Sequence, residues 1–189
     1  MKSETASQHQ KESSKDITCG VITLSDSRKS KKADLSGQYM AEEIKARYTL
    51  KSRSLIPDEK EDLINAIEDM ISEGIDVILT TGGTGLDPRD ITVETVESLF
   101  EKRLEGFGEI FRAKSYEEIG AAALLSRATA GIYKKTVIFS MPGSPNAVKT
   151  AFSIIIDELP HFVHHVKKWW NKIFIIIFLF LIEKFIYTN

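Results

Sequence analysis

The sequence predicts an α/β protein whose mostly parallel central sheet is covered on both faces by helices. Two observations lead there. Strand-like and helix-like segments alternate along the chain, and the strand-like ones include unbroken apolar, β-branched runs. Alternation implies βαβ units with right-handed crossovers, which set neighbouring strands parallel. Continuous apolar runs suit strands buried on both faces. Length supplies the third point: 189 residues with 42% hydrophobic side chains suffice for one domain with a sizeable core, with room for tails.

The elements follow in order. "ITCGVITL" (17–24) is a buried strand, and "LSGQYMAEEIKARY" (35–48) spaces Leu35, Tyr39, Ile44 and Tyr48 near a helical period. "LKSRSLI" (50–56) alternates and stops at Pro57, a short strand. "EDLINAIEDMI" (61–71) puts Leu63, Ile64, Ile67, Met70 and Ile71 on one helical face. "IDVILTT" (75–81) is a second buried strand. "TVETVESLFEKR" (92–103) is a helix with Asp90 or Thr92 available as its N-cap. Residues 107–126 continue as helix, interrupted around Gly120. "ATAGIY" (128–133) and "TVIFSM" (136–141) form a hairpin around Lys134-Lys135, and "PNAVKTAFSIIIDEL" (145–159) is a last helix opened by proline.

Charge and cysteine content narrow the function. Lys+Arg 25 against Asp+Glu 27 leaves a formal net charge of −2, without the basic excess that a dedicated nucleic-acid binder uses on phosphates. The single cysteine, Cys19, forms neither a disulfide framework nor a zinc-thiolate cluster, and its apolar run marks it as a buried small hydrophobe. These features suit a reducing cytoplasm.

The ends differ from the middle. Residues 1–16, "MKSETASQHQKESSKD", carry too little apolar surface to offset ordering entropy and read as a disordered polar tail; they contain no apolar stretch of the kind a secretory signal needs. Residues 17–168 form the domain. Residues 169–189, "WNKIFIIIFLFLIEKFIYTN" with its preceding tryptophan, are a hydrophobic tail whose unbroken apolar core, Ile173 to Ile182, falls short of the roughly 20 residues that span a bilayer. Flanking tryptophans and lysines resemble interfacial anchors. Packing on the body or a partner subunit, peripheral membrane contact and no function at all stand as alternatives.

In parallel sheets, ligands bind outside the carboxyl ends of the strands. The ends after Leu24, Ile56, Thr81 and Met141 should therefore share one rim. "SDSR" brings Asp26 there, "PDEK" brings Asp58 and Glu59, and "TTGGTGLDPRD" (80–90) and "MPGSPNA" supply two glycine-rich turns. Gly82, Gly83 and Gly85 allow positive φ and close approach, so successive N–H groups can hold an anion. The turn lacks the GK[ST] ending of a Walker A loop, and a tight strand–helix connection is the plainer alternative. Asp87, Asp90 and Asp58 beside such a cradle would repel a phosphorylated ligand unless Mg²⁺ were held by the carboxylates and the phosphates together. Alternatively, Asp90 caps the next helix and Asp58 merely precedes one. "HFVHHVKK" spaces His161, His164 and His165 for metal binding but has no matching ligands nearby, and reads as a solvated helix end. The "RKSKK" run (28–32) reads as a mobile charged loop, with contact to ligand phosphates the alternative because it follows Asp26.

Taken together, "SD" after the first strand, "PDE" after the second, "TTGGTG" with "DPRDIT", "GFGEIFR", "LSRATAGI" and "MPGSPNAV" resemble the MoaB/MogA family of molybdenum cofactor biosynthesis proteins. The resemblance spans roughly Ile17 to Lys168, with several motifs in the family's order, and "EGFGEIFRAKSYEEIG" is closer to the MoaB branch. It implies a three-layer α/β/α molybdopterin-binding domain assembled as a homotrimer or homohexamer. It also implies Mg²⁺-dependent adenylylation of molybdopterin by ATP, with pyrophosphate released and the product passed to a downstream metal-insertion protein. On that resemblance Thr81, Gly82, Gly83, Thr84 and Gly85 hold the pterin phosphate or the nucleotide, and Asp58 and Asp90 match the functional acids, placed on Mg²⁺ or on positioning. Asp26 matches the acid of the first turn, Ser126 and Arg127 match an anion-contacting pair, and Pro142, Gly143, Ser144 and Pro145 match the last ligand loop. Retention of Asp90 favours an enzyme over a non-catalytic molybdopterin-binding or assembly module. The hydrophobic tail departs from the family pattern.

Overall fold

The computed structural model describes residues 16–27, 30 and 32–169. The polar N-terminal segment up to residue 15, the hydrophobic tail from residue 170 and positions 28, 29 and 31 of the basic run lie outside the described residues. Six strands are found: β1 (Thr18–Leu24), β2 (Thr49–Ile56), β3 (Val77–Thr81), β4 (Lys102–Arg103), β5 (Thr129–Tyr133) and β6 (Thr136–Met141). The helices are α1 (Leu35–Lys45), α2 (Lys60–Ser72), α3 (Thr92–Leu99), α4 (Glu105–Ile119), α5 (Pro145–Ile155) and α6 (159–169). Short 3₁₀ turns follow α4 (Gly120–Leu125) and α5 (Ile156–Glu158).

The strands form one sheet in the order β2-β1-β3-β6-β5-β4. The first four are mutually parallel, and β5 and β4 run antiparallel to their neighbours. Every residue of β3 and β6 is buried, as their unbroken apolar runs require. The alternating β2 is the half-exposed edge.

Successive side chains of a strand point to opposite faces, and two apolar layers result. On one face Cys19, Val21, Val77, Leu79, Val137 and Phe139 meet Met40 and Ile44 of α1, Phe107 and Phe111 of α4, Phe152 of α5 and Val163 of α6. On the other, Ile22, Leu24, Ile78 and Ile138 meet Leu63, Ile67 and Met70 of α2 and Val96 of α3. The chain is thus a three-layer α/β/α domain. Cys19 sits fully buried in the first layer, and burial, helped by the Asp76 charge, pushes its thiol up to about 12.

Two expectations need correction. The helix expected over 92–103 ends at Leu99, because Phe100 turns extended and the chain then pairs with β5: Glu101 N–H donates to Ile132 O at 2.9 Å and Leu104 N–H to Ala130 O at 2.8 Å. The Phe100 ring lies over Gly131, where a Cβ would come 2.3 Å from it. Neither Asp90 nor Thr92 caps α3; Ile91 holds the N-cap position without a side-chain bond. The helical stretch expected over 107–126 starts at Glu105, and its interruption falls at Gly120 as expected, where φ is 61° and a 3₁₀ turn takes over. The hairpin turn falls at Lys134–Lys135 as expected, with Lys134 at φ 54°.

Candidate active site

The parallel strands bring the ends after Leu24, Ile56, Thr81 and Met141 to one rim. The chain leaves β1 outward to β2 and then returns past β1 to β3. The β1/β3 gap is therefore the switch point at which ligands enter such sheets.

Gly82 and Gly83 adopt φ of 99° and 60°. Both positions are also closed to a side chain: a Cβ on Gly82 would lie 2.2 Å from Leu24 O, and one on Gly83 would lie 2.5 Å from Thr92 Oγ1 and 2.9 Å from Asp58 Oδ1. The loop is pinned from below. Thr92 donates its hydroxyl to Gly82 O and its N–H to Gly83 O, each at 2.8 Å, and Gly82 N–H donates to Met141 O at 3.2 Å. Thr81 and Thr84 are buried, and the Thr81 hydroxyl donates to Pro142 O at 3.0 Å. Of the expected ligand hydroxyls, Thr81's therefore ties the two glycine-rich turns together. Gly143 abuts Gly82, its Cβ position 3.2 Å from Gly82 Cα, while Ser36 at the head of α1 donates to Gly143 O at 2.8 Å. Ser144 caps α5 by accepting from Ala147 N–H at 3.2 Å, and Pro145 occupies its first turn.

The acids also converge. Asp26 and Asp58 exchange hydrogen bonds, Asp26 N–H to Asp58 Oδ2 at 2.9 Å and Asp58 N–H to Asp26 Oδ1 at 3.1 Å. Asp58 Oδ1 is buried without a hydrogen-bond partner and faces the space beside Gly83. Burial raises the Asp58 carboxyl above the usual range; the Asp26 N–H bond opposes this, and the Asp26 and Asp90 charges add to it. Asp26 is held below that range, chiefly by its hydrogen bonds from Arg89. The two neighbours are pushed apart in proton affinity, a pattern common at functional sites. Asp90 accepts from Asp87 N–H at 2.9 Å and lies against Gly85, its Oδ2 2.5 Å from that residue's Cβ position. Its carboxylate serves the loop and the rim, not the helix end.

Ser126 follows the 3₁₀ turn, its N–H bonded to Ala123 O at 3.0 Å. Arg127 reaches Thr84 O through Nε at 3.0 Å and Asp90 O at 3.4 Å, and it pairs with Glu94. Those bonds prop the glycine turn. A depression of about 300 Å³ lined by Leu86, Asp87, Pro88, Asp90, Ile91, Glu94 and Arg127 opens beside it. Among the described residues no group of three or more acidic, histidine or cysteine side chains forms a metal cage. His161 and His165 of α6 flank a separate apolar cavity with Val137, at the start of β6 and hence opposite the rim.

Several working residues carry no site reading in the sequence, where Thr92 reads only as a helix cap. Arg89 reaches Asp26 Oδ2 and Glu59, Glu94 partners Arg127, and Thr92 holds the glycine turn. Asp34, fully buried, accepts from Gly37 N–H, the Thr23 hydroxyl and Arg53. For Asp34 the signal was "ADLSG" just before an amphipathic helix, the pattern of an N-cap.

Known proteins share this architecture. A family model described as a probable molybdopterin binding domain matches residues 20–161. The chain is 45% identical over 166 residues to a molybdopterin adenylyltransferase of Pyrococcus furiosus, covering 85% of this chain and 98% of the relative. It is 42% identical over 161 residues to molybdenum cofactor biosynthesis protein B of Bacillus anthracis, covering 83% and 95%. The crystal structure of the tungsten cofactor synthesizing protein MoaB from Pyrococcus furiosus superposes with a TM-score of 0.75 at 44% identity, covering 81% of this chain and 98% of that one. Over most of its length, then, the chain belongs to the molybdopterin-binding-domain family that includes the MoaB and MogA proteins of molybdenum cofactor biosynthesis.

Proposed function

We propose that this protein adenylylates molybdopterin. An oxygen of the pterin's terminal phosphate attacks the α-phosphorus of ATP, the bond to the bridging oxygen breaks, and pyrophosphate leaves. Relatives 45% and 44% identical over most of the chain are named as molybdopterin adenylyltransferase and probable molybdopterin adenylyltransferase. The observation that carries the reading is Asp58 Oδ1, buried, without a hydrogen-bond partner and facing the glycine turn. A carboxylate oxygen withdrawn from water without a donor is costly unless a cation or a bound group completes it.

The residues present fit Mg²⁺. Hard carboxylate oxygens are its preferred protein ligands, and one or two of them plus substrate phosphates and water complete its shell. Asp58 and Asp90 would hold it, and when bound it would neutralise charge on the transferring phosphates. The chain's own residues do the rest. Gly82 and Gly83 open room for phosphate oxygens that a side chain would fill. Thr92 and Thr81 hold the turns rigid, so that the bound groups meet with little motion. The Asp26 N–H, donated to Asp58 Oδ2, keeps that carboxylate turned toward the turn, and the Asp26 carboxylate, kept charged by Arg89, returns a bond to Asp58 N–H.

Purified protein supplied with ATP, Mg²⁺ and molybdopterin should release pyrophosphate. Asp58→Asn and Asp90→Asn should each lower the rate by roughly a hundredfold or more while the fold persists. Wild-type rates in either variant would overturn the assignment of that residue. Pterin binding with no pyrophosphate from the wild type would select a non-catalytic binding module instead. The product would pass to a metal-insertion protein of the same pathway.

A further inference from the structure

Arg89 lies in the middle of the acidic rim, between Asp87 and Asp90. A guanidinium beside a phosphate cradle is ordinarily taken as an anion ligand, because its planar fork matches phosphate oxygens. Its donors point elsewhere. Nε and Nη2 both reach Asp26 Oδ2, at 3.0 and 2.7 Å, and Nη1 reaches Glu59 Oε1 at 2.7 Å. Asp26 follows β1, Glu59 follows β2 and Arg89 follows β3. One side chain therefore spans the three loops that frame the switch point. The carboxylate it grips is the one that accepts Asp58 N–H through its other oxygen, while Asp58 in turn accepts Asp26 N–H.

We propose that Arg89 is a positioning residue: it clasps Asp26 and Glu59 so that the reciprocal Asp26–Asp58 bonds keep Asp58 Oδ1 aimed at the glycine turn, and it does not serve as a ligand of the substrate phosphates. Charge supports this division of labour. Five carboxylates, Asp26, Asp58, Glu59, Asp87 and Asp90, crowd one rim, and like charges in one place repel one another. The Arg89 guanidinium pairs with two of the three that are not assigned to the metal, while its N–H donates to the third, Asp87, so it lowers the repulsion without competing for the phosphates. Geometry supports it as well. A lysine could replace the charge but not the fork, since three of the guanidinium's five donors are committed to two carboxylates at once. The kinetic consequence rests on the proposed adenylyl transfer; the clasp itself does not.

The test uses the full chain with Arg89→Gln and Arg89→Lys, read by amide hydrogen exchange and by steady-state kinetics with ATP, Mg²⁺ and molybdopterin. The clasp predicts that Arg89→Gln speeds exchange at the Asp26 and Asp58 amides by roughly tenfold or more, through local opening that leaves the global fold intact. It predicts kcat lower by about tenfold to a hundredfold with the KM for ATP within about threefold. Arg89→Lys should restore neither, and the thermal midpoint should barely move, since exposed ion pairs add little to stability. A phosphate ligand would behave the other way, with the KM for ATP raised, both amides unchanged and substantial rescue by lysine. Unchanged exchange at both amides in Arg89→Gln overturns the clasp. Should the wild type release no pyrophosphate, the adenylyl-transfer reading falls while exchange still decides the role of Arg89.

Discussion

Two glycines with similar backbone angles separate a requirement for shape from one for space. Gly74 has φ 74° with nothing within 4 Å of its Cβ position, whereas Gly83 has φ 60° with Thr92 Oγ1 and Asp58 Oδ1 both under 3.0 Å away. Gly74→Ala should therefore cost only the left-handed conformation, about 1 kcal/mol. Gly83→Ala should cost roughly 2–3 kcal/mol, because Thr92 cannot retreat without giving up its bond to Gly82 O. Urea denaturation measures both, and pyrophosphate release should fail only in Gly83→Ala. The same residue scale shows why some of the site was legible in sequence and some was not. Asp58, Asp90 and the glycine turns announce themselves because their residue types are unusual at strand ends. Arg127 was read as an anion contact, and Arg89 passed without a role, because a sequence shows a cation but not where its fork points. In the folded chain Arg127 bonds Thr84 O, Asp90 O and Glu94.

At the scale of elements, α1 is fastened to the sheet by a polar post. Asp34 is fully buried, caps the helix through Gly37 N–H at 2.9 Å, and takes bonds from the Thr23 hydroxyl of β1 at 2.7 Å and Arg53 of β2 at 3.0 Å. Burial alone would raise its carboxyl; the bonds from Gly37, Thr23 and Arg53 together bring it below the ordinary value. Removing one partner of such a group leaves the other stranded, so Asp34→Ala should destabilise by about 3 kcal/mol in urea denaturation. The sign with pH follows from the lowered folded-state value. The contribution is fully present above the unfolded pKa of roughly 3.9 and is lost as pH falls through the folded one. Stability of Asp34→Asn should accordingly change less than that of the wild type as pH falls below the unfolded value. Because Ser36 of the same helix bonds Gly143 O, the loss should also loosen the last ligand loop. Element types and order were readable because apolar period carries them, and the buried strands were the plainest. The end of α3 was not, since "FEKR" continues a helical pattern and only pairing with β5 overrides it.

For the molecule as a whole, several large apolar side chains of the described surface are exposed, and four of them lie close together in sequence. Tyr116, Ile119, Leu124 and Leu125, at the end of α4 and in the 3₁₀ turn after it, are all more than half exposed. Clustered exposed apolar groups mark interaction surfaces. Leu124→Glu with Leu125→Glu should lower the mass of any assembly formed through that stretch in light scattering behind size exclusion, with unchanged far-ultraviolet circular dichroism. An oligomer that survives the double change would place the contact elsewhere. No helix among the described residues is long and apolar enough to cross a membrane.

The way the sheet ends bears on how copies can meet. One border is β4, two residues long and made of Lys102 and Arg103; the other is β2, which carries Lys51 and Arg53. A two-residue cationic border is a poor template for a neighbour's strand. Extension of the sheet from chain to chain, the route by which native domains grow into fibres, is therefore disfavoured at the β4 side. A neighbour reaching that border would meet two cations and only two residues of free backbone ladder.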